Sequence, residues 1–150
     1  MAKFIFKMEN ILLIKSKLED QAKAEYGMEM RKLREEEEKK LRLEMKKLGY
    51  EKKLTLALQD YLDIREIRRL EDTVEMLKFQ IQMQQQVIER QEIRVAKARE
   101  KLNEAMKERK IYEKLKEKAF DAFRQELNAA EQKEIDELVS FRHNGAESED

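Results

Sequence analysis

Ile67, Val74, Ile81, Ile88, Val95 and Leu102 stand seven residues apart, and Leu70, Leu77, Gln84, Gln91, Ala98 and Ala105 follow each of them by three. This spacing is the seam of a coiled coil, because it keeps one stripe of a slightly underwound helix facing a partner. Six repeats exceed the three or four that the signature requires. β-Branched residues hold the first position until Leu102. Gln84 and Gln91 interrupt the second position. They read as tolerated polar layers of a long coil, as residues that fix its register, or as residues opposite a short partner.

Composition points the same way. The 150 residues include no proline, no cysteine and three glycines, Gly27, Gly49 and Gly145, while 44% are charged. A β-rich or α/β domain needs turns, and turns recruit Gly and Pro. Here Glu, Lys, Leu, Gln, Arg, Met and Ala dominate, the good helix formers. The expected fold class is all-α, a long two-helix antiparallel coiled-coil hairpin, since two single apolar stripes are buried only against each other.

Beyond Arg109 the seam reads as drifting, with Ile111, Tyr112, Leu115, Ala119, Phe123, Leu127, Ile135 and Leu138 forming a slipped stripe of the kind a stutter produces. The first half is less regular. Phe4, Met8, Ile11, Ile14 and Leu18 make an early stripe, which Ala22, Met28, Leu33, Leu41, Met45 and Leu48 extend. Glu35 and Glu36 precede Lys39 and Lys40 by four, a pairing that supports a helix. The run reads as a solvated face or as an acidic docking patch. Asp63 followed by Glu66 approximates a capping box, and Asp60 offers the same chemistry one turn earlier. Helix 1 is therefore expected over about 5–55, the reversal within 55–63 after the weak stretch at Thr55, helix 2 over about 64–141, and a disordered polar tail over 143–150.

Catalytic chemistry is missing. The single histidine, His143, lies in that tail, and Ser16, Ser140 and Ser148 have no base partner in any recognisable arrangement. There is no phosphate-binding loop and no EF-hand spacing. The sequence predicts no catalytic residue, no cofactor, no metal site and no small-molecule substrate. Zero net charge with interspersed signs gives no footprint for nucleic acid, and Tyr26, Tyr50, Tyr61, Phe79, Phe120 and Phe123 are too scattered for base stacking. No run approaches the ~20 apolar residues of a membrane span, and the opening makes a poor signal peptide, because Glu9 and Asn10 divide its apolar pieces. Lack of cysteine fits a cytoplasmic chain.

The opening MAKFIFKMENILLIKSKLEDQAKAEY, with its Phe4-x-Phe6 pair, amphipathic stretch and charged Glu-Ala run, resembles the start of the flagellar FliJ proteins. The segments Tyr112 to Lys118 and Glu131 to Leu138 are similar to that family's C-terminal pattern. The resemblance covers about residues 3–142. It implies a non-catalytic component of the flagellar type III export apparatus, similar to the central stalk of rotary ATPases and a monomer when free. The implied partners are the hexameric export ATPase, the cytoplasmic part of the membrane export gate, and export chaperones. The implied place is the cytoplasmic face of the inner membrane at the flagellar base. In the family an aromatic residue and a leucine four apart, just after the reversal, bind the gate. That spacing falls here on Leu70 and Val74, or on Thr73 and Leu77, without the aromatic, so the gate contact is expected on Leu70, Val74 and Leu77. The ATPase contact is expected on Phe4, Phe6, Asp136 and Glu137. The alternatives are the corresponding stalk of a virulence secretion system, a dimeric coiled-coil spacer or adaptor, and a membrane-surface protein anchored through its first fourteen residues.

Overall fold

The computed structural model describes residues 2–59 and 63–147. They form two helices, α1 (Glu9–Gln59) and α2 (Ile64–Glu147). The described residues are 94% helical and contain no strand, and α1 and α2 pack against each other as an all-α helical hairpin. Contacts divide the chain into two units, Met1–Glu19 with Ala105–Asp150 (unit 1) and Asp20–Glu104 (unit 2).

Local chemistry sets the helix ends. The Glu9 N–H donates to the Phe6 carbonyl at 3.2 Å and the Leu12 N–H to Met8 at 3.0 Å, and Glu9 places a carboxylate in the first turn, where the helix dipole favours it. The α2 start follows the expected cap. Asp63 Oδ1 accepts the Arg65 N–H at 3.0 Å, satisfying one of the orphan donors of the first turn. Thr55 does not end α1. Its hydroxyl donates back to the Glu51 carbonyl at 2.9 Å, within a helix that runs to Gln59. Asp60 and part of the expected reversal lie outside the described residues. At the other end α2 continues through His143 and Gly145 to Glu147, where a disordered tail was expected from residue 143.

In unit 2 the helices run antiparallel, because Glu29 and Glu36 of α1 meet Gln91 and Gln84 of α2 respectively. The α2 heptad is the buried or half-buried seam from Ile67 to Leu102, with Val74, Leu77, Ile88, Gln91 and Ala98 buried. The α1 seam is equally regular but differs from the expected stripe. Tyr26, Leu33, Lys40, Lys47 and Leu54 stand seven apart, as do Ala22, Glu29, Glu36, Leu43, Tyr50 and Ala57, and all are buried or half-buried. Met28, Leu41, Met45 and Leu48, expected in the seam, are exposed. Glutamate, lysine and tyrosine can occupy such positions because their stems pack while their polar ends find partners.

Unit 1 corrects the expected slip. Ala105, Arg109, Tyr112, Lys116, Ala119 and Phe123 continue the three-four spacing without a break, and all are half-buried. Ile111, Leu115, Leu127, Ile135 and Leu138 are exposed, as are Met8, Ile11, Ile14 and Leu18 of the early stripe. Leu12 and Glu19 are the buried α1 residues here.

Gly27 and Gly49 lie inside α1, and a β-carbon built on either meets nothing within 4 Å. Glycine in a helix interior costs about 1 kcal/mol relative to alanine. Gly27→Ala and Gly49→Ala should each raise stability by about 0.5–1 kcal/mol in denaturant titrations.

Candidate functional site

Unit 2 carries two equivalent polar rungs. Gln84 Nε2 donates to the Glu36 carbonyl at 2.9 Å and to its carboxylate at 2.6 Å. Gln91 Nε2 donates likewise to the Glu29 carbonyl at 3.0 Å and to its carboxylate. One amide nitrogen thus spends both its protons on one opposing residue, satisfying polar groups that the seam half-buries. Both glutamines find their partners on α1, so neither stands opposite a gap left by a short partner. Glu36 is therefore not on a solvated face. Lys39 approaches it at 3.1 Å, and Lys40 donates across to Gln85 at 2.7 Å.

The Gln84 amide, then the Lys39 ammonium, hold the Glu36 carboxyl below its ordinary value near 4.5. A carboxyl with a lowered folded-state pKa adds stability that is complete above its unfolded value and is lost as pH falls through the folded one. The thermal midpoint should therefore decline below about pH 4.5, and Glu36→Gln should flatten that part of the profile.

Unit 1 has its own polar seam. Arg109 pairs with the buried Glu19 and with Glu113, the latter at 2.6 Å, and Glu113, then Glu19, push the guanidinium pKa up. Lys116 meets Glu9 at 2.9 Å and Lys15 meets Glu108 at 3.4 Å. The segment before α1 lies on α2. The Phe4 ring packs edge-on to Phe120 with centroids 5.3 Å apart, and against Phe123 at 5.6 Å. Beside it an open apolar groove of about 520 Å³ is lined by Phe6, Met8, Leu115, Ala119, Ala122 and Phe123.

The expected contact residues fall in different settings. Phe4 and Phe6 are half-buried on α2, whereas Asp136 and Glu137 lie in a stretch from Arg124 to Ala146 in which every residue is exposed. Val74 and Leu77 are 6% and 3% exposed and Leu70 is half-buried. All three are seam residues, which a partner would reach only by opening the coil. The exposed apolar row of the same α2 stretch is Met76, Phe79 and Met83, with Phe79 62% exposed. Phe79 and Met83 stand four residues apart, and both lie outside the heptad.

Among the described residues no three His, Cys, Asp or Glu side chains gather to hold a metal ion, and no helix is long and apolar enough to cross a membrane. A family model described as "Flagellar FliJ protein" matches residues 4–148. The chain belongs to the flagellar FliJ family. Membership makes it a component of flagellar type III export. No curated protein and no solved structure matches the chain. Phe4, Phe79 and the exposed α2 stretch all lie within the part that the FliJ model matches.

Proposed function

We propose that this FliJ-family chain is the non-catalytic stalk of the export machinery, which stimulates the hexameric export ATPase, links it to the cytoplasmic part of the membrane export gate and assists export chaperones. The observation that carries the reading is the family match over residues 4–148 on a chain that folds as a helical hairpin. Two helices side by side measure about 20 Å across, from the ~10 Å diameter of each, thin enough for the hole of a six-membered ring. Phe4, Phe6, Asp136 and Glu137 belong to the ATPase end in this reading. The gate contact moves from Leu70, Val74 and Leu77 to the exposed row Met76, Phe79 and Met83, whose aromatic and thioether four residues apart supply the pair that the seam lacks. Two methionines beside an aromatic make an adaptable apolar surface. The place of action is the cytoplasmic face of the inner membrane at the flagellar base.

The purified chain, mixed with the export ATPase of the same organism, should raise ATP turnover and ring assembly while hydrolysing no ATP alone. Turnover and assembly that stay at the level without it, across a range of ratios, overturn the stalk role. Phe79→Ser with Met83→Ser should weaken binding to the gate fragment at least tenfold, about 1.4 kcal/mol, and leave ATPase stimulation intact.

A further inference from the structure

Unit 1 leaves two apolar surfaces uncovered, and they match each other in charge. The first is a flank of its coil. Ile11, Ile14 and Leu18 of α1 are exposed at three- and four-residue spacing, and so are Ile111 and Leu115 of α2. Lys15, which lies four residues after Ile11 and three before Leu18, reaches across to Glu108. Glu108 precedes Ile111 by three and Leu115 by seven, so this ion pair joins the two rows on one side of the coil. The flank runs on at Leu115 into the groove beside Phe6 and Met8. Its rim is basic, with Lys7, Lys17, Lys107, Lys114 and Lys118 all exposed.

The second surface is the end of α2. After Phe123 no described residue is buried or half-buried through Ala146, and Leu127, Ile135, Leu138, Val139 and Phe141 stand in water. This stretch is acidic, with Glu126, Glu131, Glu134, Asp136 and Glu137 against Arg124, Lys133 and Arg142. Glu131 and Glu134 fall between the apolar residues, so an occupied surface needs cations along the contact and not merely oil. The α2 end cannot turn back onto the flank of its own coil, because α2 is helical without a break.

We infer that this flank binds the α2 end of a second copy of the chain. The contact is isologous: each copy gives its acidic helix end and receives its partner's on the lysine-rimmed flank, a two-fold arrangement that closes. Opposite charges select the docking direction and make the association salt-dependent. The monomer expected of the free chain is then its dilute form. The inference goes beyond the export reading and does not rest on it. The dimer would cover Asp136 and Glu137 and so keep the ATPase end out of use at high concentration.

Sedimentation velocity over a hundredfold concentration range tests this on the full chain. The expected result is a monomer–dimer equilibrium whose dissociation constant rises at least tenfold from low salt to about 0.5 M salt. Leu138→Asp with Phe141→Asp, and separately Ile14→Asp with Ile111→Asp, alter exposed residues and should keep the far-UV helical signal. Each double variant alone should sediment as a monomer where the parent is a dimer. Mixed, they should associate weakly, since one helix end and one flank remain intact. A parent that stays monomeric throughout, or a dimer indifferent to both variants, overturns the inference. So does a monomer that floats with anionic vesicles and loses this with Ile14→Asp and Ile111→Asp, which would give the flank to lipid.

Discussion

Replacing Ile88 by aspartate lowers stability by about 3 kcal/mol or more, a fall of roughly 10 °C in the thermal midpoint for a chain of this size. Ile88 is 4% exposed in the middle of the unit 2 seam. The substitution removes a large apolar side chain and leaves a carboxylate that must either stay charged without water or take up a proton. The Gln91 amide three residues on is already engaged by Glu29, so it offers the new group no ready donor. Glu92→Gln, on an exposed position, should by comparison move stability by less than about 0.5 kcal/mol. Thermal melts followed by far-UV circular dichroism decide the matter. An Ile88→Asp midpoint within a degree or two of the parent would show that the seam is not where this unit holds its stability.

The contrast between the two helices explains what could be read beforehand. In α2 the seam positions from Ile67 to Val95 at the first heptad site are apolar and β-branched, so periodicity alone finds them. Arg109 and Lys116 sit at the same site further on, and their charge breaks the pattern without breaking the register. The nearby Ile111 and Leu115 mimic a continued stripe, yet they are exposed. In α1 the polar residues are the rule. Glu19, Glu29, Glu36, Lys40 and Lys47 fill seam sites, and a search for hydrophobic spacing settles on Leu41, Met45 and Leu48, which face water. Polar seam residues become legible only with the partner in place, because their position is fixed by Arg109, Gln91 and Gln84 on α2. Phe79 and Met83 fall outside the heptad, so a period of seven passes over them. The cap at Asp63 was legible because it depends on residues two apart in sequence.

The two glutamine rungs should select one pairing register, and removing both should admit others. Glu36 with Gln84 and Glu29 with Gln91 are seven residues apart on each helix, so they share a single offset. A slip by one heptad keeps only one rung. In one direction Gln84 comes opposite Leu43 and Glu29 opposite Ala98; in the other Gln91 comes opposite Ala22 and Glu36 opposite Leu77. Each slip therefore strands one amide and one carboxylate against apolar side chains. Losing hydrogen bonds to a charged group costs about 2 kcal/mol, close to thirtyfold in the ratio of slipped to native pairing. Apolar layers discriminate less, since a slipped register still offers Leu, Ile and Val to one another. Among the described residues there is no cysteine, so engineered pairs report without background. Leu43→Cys with Leu77→Cys lies at the native offset. Leu43→Cys with Leu70→Cys reports one slip, and Tyr50→Cys with Leu77→Cys the other. On mild oxidation only the first pair should close within a monomer of otherwise native sequence. With Gln84→Leu and Gln91→Leu added, at least one slipped pair should close as well, by an amount that approaches the native pair as oxidation is slowed. If the double leucine chain closes the native pair alone, the apolar layers set the register and the rungs merely tolerate it.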